Sequence, residues 1–599
     1  MKMNRILISY MICMLLAGCS NGNKQLFSPD RIWCDDSGWL LVANRDGKEL
    51  LQLDKDLAPT SVKAVLPAAA NALAQTPDHR LWVVCDGSNG ILCELDPENL
   101  SVASQTKLGH TPSAIAYNKQ TKSLWITQRY NNELWEVNPE TKEVLHKVAI
   151  GREPVDVLSF AGDSLLLVAN NLPEMSATDY PVACQLDIVD VDRKAVVKRL
   201  LLPNGSTDVK AMATDHGRNY AYVVHLLARY QLPTNQVDRG WMSTNALSII
   251  NLNTREIENT VLLDTPQKGA ANPWNIAVSP DDDRIWVAIA GTHELACIDR
   301  NQLHDRLARV KAGEKLTPSS KGWEYISDDA GFLYGIREFY PTNGKGPRAL
   351  CVTPQGVYTA NYYTGNLVKL DEQGNMLADV SAGTPLNSTQ TGKGDMYFHD
   401  ATLGFQQWQS CASCHPNDAR MDGLNWDLLN DGMGNPKNTK TLLLSHQTPP
   451  CMISGIRKNA EVAVRSGIKY ILFGDWDDSV ASAMDAYLKS LSPLPSPHLV
   501  DGKLSEPAQR GKAAFDKHCA SCHSGAYYTD GKQYNVNWAD GPDEGVKMDV
   551  PALNEIWRTA PYLYDGRSYT MKEMLRIHGP KEQLSDSELD DLAEYVMSL

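Results

Sequence analysis

Leu81-Trp-Val-Val84 passes through a polar turn into Leu92-Cys-Glu-Leu-Asp96, and one repeat later Leu124-Trp-Ile-Thr127 leads in the same way into Leu134-Trp-Glu-Val-Asn138. Each half alternates with a period of two, as a half-buried strand requires. Each second half ends on Asp or Asn, residues that start turns. The pair recurs outward in both directions. Trp39-Leu-Leu-Val-Ala-Asn44 with Leu50-Leu-Gln-Leu-Asp54 precedes it. Leu165–Asn170 with Leu186–Asp190, Ala221–Val224 with Leu247–Asn251, Ile285–Ala288 with Leu295–Asp299, and Val357–Ala360 with Leu367–Asp371 follow. The first four pairs repeat every ~41–43 residues, the length of a four-stranded blade. Seven pairs predict a seven-bladed all-β propeller over residues 31–383. An array of β-sandwiches is the competing fold, but its repeats are usually longer.

Pro273-Trp-Asn-Ile-Ala-Val-Ser-Pro-Asp281 resembles the YVTN-type propeller repeats of bacterial surface proteins. Two insertions stretch the later blades, from Leu226 to Asn245 and from Asn301 to Gly346. Loops between blade strands gather on one face and are where binding groups sit. Arg229, Arg239, Trp241, Arg306, Arg309 and Arg337 lie in them, and the arginines are candidates to meet haem propionates.

Residues 384–394 turn to Gly, Thr, Ser and Asn and read as a linker. An all-α part follows, read as two cytochrome c-like subdomains over residues 395–497 and 498–599. Asp478 to Leu491 carries apolar residues at helical spacing, and Ser492-Pro-Leu-Pro-Ser-Pro497 breaks it. Ser585 with Glu588 forms a capping box for the last helix. Each subdomain holds one C-x-x-C-H motif: Cys411-Ala-Ser-Cys414-His415 and Cys519-Ala-Ser-Cys522-His523. A lone C-x-x-C also suits a zinc half-site or a redox dithiol. The added histidine and the duplication point to c-type haem: two cysteines take the vinyl groups and the adjacent histidine reaches the iron. Two covalently bound haem c groups are therefore expected.

The N-terminus reads as a lipoprotein signal peptide over residues 1–18. Lys2 and Arg5 precede an apolar run, and Leu16-Ala-Gly-Cys19 is similar to a bacterial lipobox with Cys19 lipidated. A tether over 19–30 would follow. The chain is expected to be an outer-membrane lipoprotein of a Gram-negative bacterium, facing the periplasm or the cell surface. The net charge of -15 over 599 residues, with no basic cluster, argues against nucleic acid as a partner. Of the 13 cysteines, those outside the signal, the lipobox and the haem motifs are scattered and read as core thiols.

The C-terminal third, about residues 395–599, resembles the bacterial di-haem cytochrome c peroxidase and MauG family. The resemblance rests on both C-x-x-C-H motifs, Leu504–Phe515, Val550-Pro-Ala-Leu553, Thr559-Ala-Pro-Tyr-Leu-Tyr-Asp-Gly-Arg567 and Leu584–Glu588. It implies that peroxide or activated oxygen is handled at the first haem and that electrons enter through the second. It puts His578 at the sixth-ligand position of the second haem, with Met574 and Met571 as runners-up. Glu461 falls where the family has distal carboxyl or amide residues, and His446 is a candidate sixth ligand or distal base; a proton-moving group is what peroxide chemistry needs. Relatives hold a calcium ion between the subdomains, which makes Ca2+ a further candidate. Ile453 stands where the family carries an inter-haem Trp, so Trp426 and Trp476 are considered as substitutes. The expected function is peroxidase-like redox chemistry with the propeller as docking platform. A small cytochrome, another electron donor or a protein substrate would be the partner. The alternatives are an electron-transfer cytochrome with both irons saturated, or a surface binding protein with auxiliary haems.

Overall fold

The computed structural model describes residues 25–34, 39–231, 242–428, 434–580 and 584–599. Cys19, Arg239 and Trp241 lie outside them. Seven four-stranded antiparallel sheets, each with its strands in chain order, form the propeller. The pairs read from the sequence are the second and third strands of successive blades: Leu40–Asn44 pairs with Glu49–Leu53, and Ser123–Gln128 with Glu133–Val137. These strands are buried on both faces, since each sheet packs between two others.

Every innermost strand has a register shift near its start, as at Ala70/Ala72, Pro112/Ala114 and Pro273/Asn275. A bulge takes residues out of the ladder and re-aims a side chain. Here the side chains at or beside the shifts bond the next blade: Asn71 donates to the Pro112 carbonyl at 2.9 Å, Ser113 to Pro154 at 2.6 Å, and Asn275 to Arg348 at 3.3 Å. First and last blades exchange no strand. The seam is reinforced instead by a parallel pair, Leu26–Phe27 with Thr384–Pro385, and by a disulfide between Cys34 and Cys351. That disulfide corrects the reading of these two cysteines as core thiols. An even, scattered pair across 317 residues leaves no spacing signature.

The insertion arginines are spent inside the propeller. Arg229 pairs with Asp328 at 2.7 Å, Arg309 with Glu314, Arg306 donates to the carbonyls of Phe332 and Tyr334, and Arg337 donates to those of Leu263 and Asp264. None of these four faces the cavity described below. Much of the second insertion is structured, with helix α1 over Arg300–Lys311.

The stretch read as a linker is folded. Thr389 caps helix α2, Gln390–His399, through its hydroxyl to the Gly392 N–H. The first helical unit therefore begins at 390, not 395. It crosses α4, Asp478–Ser490, with α3, Ala460–Tyr470, packed alongside. The second unit repeats the plan: α5, Glu506–His518, crosses α7, Asp586–Met597, with α6, Met571–His578, against them. A glycine sits at each crossing. A β-carbon at Gly394 would lie 1.9 Å from the Ala483 carbonyl oxygen, and one at Gly511 1.9 Å from that of Asp591. The helical part also carries two short antiparallel pairs, Asn425–Trp426 with Lys437–Asn438 and Gln533–Asn535 with Lys547–Asp549.

Candidate functional site

Both C-x-x-C-H motifs open onto one cavity of about 630 Å³. Its walls are largely apolar, with Phe398, Leu442, Val464, Met484 and Leu488 near the first motif and Phe515, Leu553, Tyr562, Met574 and Leu575 near the second. Such walls fit a porphyrin, whose faces are apolar.

Each proximal histidine is oriented by the chain just after it. His415 Nδ1 donates to the Arg420 carbonyl at 3.1 Å, and His523 Nδ1 to the Tyr528 carbonyl at 2.9 Å. A carbonyl on Nδ1 fixes the tautomer and leaves Nε2 as the free donor to a metal. Burial lowers the proton affinity of both rings, to about 4 for His415. They are therefore neutral at pH 7, the form that ligates.

His578 faces His523. Their ring centroids are 6.2 Å apart with the planes at 90°. Two metal–imidazole bonds of about 2 Å plus a ring radius of roughly 1 Å on each side span about 6 Å, so the pair fits one iron between them. Burial first, then the neighbouring His523, lowers His578 to about 4. The Trp538 indole N–H donates to His578 Nδ1 at 3.1 Å, which leaves the proton of the neutral ring on Nε2, so ligation through Nε2 requires that contact to be given up; Tyr564 stacks on Trp538 in turn. Met574 lines the same cavity, whereas Met571 does not. Among the described residues the cavity lining holds no histidine besides His415, His518, His523 and His578; Met484 packs against Cys411.

His446 and Glu461 do not line the cavity. His446 Nε2 bonds Asp485 at 3.0 Å, and Arg465 bonds the other oxygen of the same carboxylate at 2.8 Å. Glu461, on the outer face of α3, pairs with Lys489 at 2.9 Å, a bond that holds its carboxyl below the ordinary range. The candidate distal pair is thus a structural triad and a surface ion pair. The cavity contains instead Lys440 and Asp549, paired at 2.7 Å. Burial raises the Asp549 carboxyl despite Lys440. Ile453 lines the cavity as the sequence implied, and so does Trp426; Trp476 does not. Cys451 and Arg457 also line it. None of Lys440, Asp549 or Trp538 belongs to a recognisable motif, and their partners are remote in sequence, so sequence reasoning missed them. No group of three or more His, Cys, Asp or Glu side chains suited to a metal ion occurs among the described residues.

The two motifs differ in what surrounds them. Ser413, inside the first, is buried and donates to Asn272 of the propeller at 3.0 Å, while Asn272 donates to Ser410 at 2.8 Å. Ser521, the matching residue of the second motif, is exposed.

Comparison with known proteins agrees with this geometry at the coarse level. The family model for cytochrome c matches residues 508–599, so covalently bound haem c belongs to the chain. Hydrazine synthase subunit gamma of Kuenenia stuttgartiensis is 25% identical over 279 residues, covering 36% of this chain and 79% of that protein. Subunit beta of the same organism's hydrazine synthase is 24% identical over 184 residues, covering 30% of this chain and 45% of that protein. The chain thus spans less than half of the beta subunit. A solved structure of Kuenenia stuttgartiensis hydrazine synthase superposes with a TM-score of 0.52 at 20% identity, over 60% of this chain and 100% of that one, which supports the fold. The curated relatives carry the hydrazine synthase name, not that of the peroxidase and MauG family the motifs resemble.

Proposed function

We propose that this chain is an exported di-haem redox enzyme that transforms a small molecule at the haem of His415 and takes its electrons through the haem of His523 and His578. The observation that carries this reading is an asymmetry. His523 is opposed by a second histidine 6.2 Å away, and no such ring pair is described for His415. A haem with two histidine ligands supplies one-electron transfer at low potential, whereas one with an open face supplies substrate chemistry. The chain's own residues then divide the work. His415 and His523 hold the metal sites, each fixed by a carbonyl on Nδ1. The apolar walls exclude water. Asp549, inside the cavity and 2.7 Å from Lys440, is the group placed to hold and release a proton.

For the substrate we favour a small nitrogen compound over peroxide. Support comes from the printed name of the two curated relatives, and the peroxide reading rests on the motif resemblance. The lipid anchor at Cys19, the outer-membrane location, a calcium ion and a small-cytochrome donor belong to this proposal as well.

Electron paramagnetic resonance of the oxidised and half-reduced protein tests it, with hydroxylamine, nitric oxide and peroxide added separately. One low-spin signal of the bis-histidine kind and a second signal that changes with one of these molecules are expected. Two low-spin signals that no addition moves would leave an electron carrier and overturn the reading.

A further inference from the structure

The segment that carries the first C-x-x-C-H motif is built into the propeller, and the second is not. Asn272 lies in the loop that enters the sixth blade, with φ +56°. Its side chain spans the motif: Nδ2 donates to Ser410 Oγ at 2.8 Å and to the His399 carbonyl at 3.2 Å, and Oδ1 accepts from Ser413 Oγ at 3.0 Å. Asn272 is itself pinned, its N–H donating to Asn245 Oδ1 at 3.1 Å. One residue after His415, beyond Pro416, come three consecutive non-glycine residues in the left-handed region, Asn417, Asp418 and Ala419, at φ 55°, 63° and 61°. Such a turn is unfavourable for L-residues and persists only where its surroundings impose it. The propeller imposes it here. Lys210 donates to Asn417 Oδ1 at 3.3 Å, Asn417 Nδ2 donates to Asn171 Oδ1, and Thr207 donates to the Asp422 carbonyl at 2.9 Å. The turn delivers the Arg420 carbonyl to His415 Nδ1. In contrast, the hydrogen bonds described for Cys519–His523 run within Phe515–Tyr534, all in the second helical unit.

We propose that the propeller is a working part of the first haem site: Asn272, Lys210 and Asn171 are positioning residues that hold the attachment segment and the turn setting the hydrogen bond on His415. The haem at the first motif then takes its redox properties from the propeller, and the haem at the second does not. A hydrogen bond to the proximal ligand's other nitrogen sets its orientation and basicity, and through these the potential of the metal. This inference rests on the two-haem reading above.

The identical motifs supply a matched control. S413A and S521A each remove the same hydroxyl from the same Cys-Ala-Ser-Cys-His context, in the full-length chain. N272A removes the clamp from the propeller side. Peptide mass spectrometry first establishes haem on Cys411/Cys414 and on Cys519/Cys522. Spectroelectrochemical titration then reads both midpoint potentials. S413A and N272A are expected to shift the midpoint of the haem at His415 and to leave that at His523 in place, while S521A shifts neither. Absence of haem on Cys411/Cys414 in the parent chain would sink the two-haem reading and this inference with it. Two haems with both midpoints unmoved by S413A and N272A would overturn the inference alone. If N272A fails to fold, S413A against S521A decides, because Ser413 loses only one hydroxyl.

Discussion

His578 sits at the end of α6 with its ring 6.2 Å from that of His523 and its Nδ1 against Trp538. Replacing it by Met keeps a ligand but changes its kind, and thioether ligation raises a haem potential relative to imidazole. H578M is therefore expected to raise the midpoint of the second haem and abolish its bis-histidine signal, read by spectroelectrochemistry and paramagnetic resonance; an unchanged signal would remove His578 from the ligand set. W538F removes the donor on His578 Nδ1 and lets that nitrogen carry the proton, so the low-spin signal is expected to persist; its loss would show that ligation depends on Trp538. D549N removes the cavity carboxyl paired with Lys440 but leaves the walls intact. Turnover should fall by about 10²–10⁴-fold, the usual worth of general acid–base catalysis, with both haem spectra preserved. What the sequence conveyed at this scale depended on how local the chemistry is. The cysteines and proximal histidines form a contiguous signature, and His578 follows a recognisable Asp-Gly-Arg element. His446 and Glu461 lie outside the cavity lining because Asp485, Arg465 and Lys489 engage them, residues whose proximity only the packing of α3 on α4 creates.

Each helical unit depends on one crossing without a side chain. A methyl group at Gly511 would meet the Asp591 carbonyl, which is backbone and cannot swing aside. G511A is expected to force α5 and α7 apart and to cost about 3 kcal/mol, the upper end for overpacking, seen as a lowered midpoint in denaturant unfolding followed by haem absorbance. G502A offers a control, since nothing lies within 4 Å of the added carbon there, although its φ of +73° adds local strain. The propeller's seam makes a second prediction. Its first and last blades share no strand, so the Cys34–Cys351 bond and the Leu26–Phe27 pairing reinforce a seam otherwise held by packing of Ile32 and Val42 with Ala349 and Tyr358. Chain-entropy reasoning gives a cross-link over so long a loop about 6 kcal/mol. C34S with C351S should lower the melting temperature of the blades, and reduction of the parent protein should reproduce the effect. Strand pairs were legible because period-two alternation is a property of a few adjacent residues. The linker was misread for a related reason. Gly392 and Gly394 look like linker residues, but both are buried, and a close helix crossing wants glycine as much as a flexible link does.

Propeller and helical units are joined by buried charge. Glu153, on the turn entering the fourth blade, pairs with Arg558 at 3.3 Å and with Arg129 at 2.9 Å. Arg152 beside it donates to the Arg558 and Ala560 carbonyls at 2.7 and 2.6 Å. Arg558 lies over the Tyr130 ring, and Arg420 ties the segment of the first C-x-x-C-H motif to Glu555 of the second unit at 2.8 Å. Sequence reasoning had no access to this network, because its members are separated by hundreds of residues and each reads alone as a solvated charge. It makes the molecule one unit electrostatically, and pH exposes that. Burial opposes ionisation of Glu153, but Arg558, Arg129 and Arg152 overcome it and hold its carboxyl down to about 2. An unfolded glutamate titrates near 4.3. A carboxyl lowered in the folded state contributes stability that is full above the unfolded value and is lost as pH falls towards the folded one. Glu153 should thus stabilise the chain by about 3 kcal/mol at pH 7 and withdraw that between about pH 4.5 and 2. E153Q leaves Arg558 and Arg129 buried with less compensation, a loss of about 3–5 kcal/mol at neutral pH, and removes Glu153's share of the acid lability. Calorimetry from pH 2.5 to 7 should show the parent's transition fall steeply at the acid end and that of E153Q lie lower but flatter. Parallel curves would mean that the interface charges are no more than a solvated rim, and that propeller and haem units are held together by apolar contact alone.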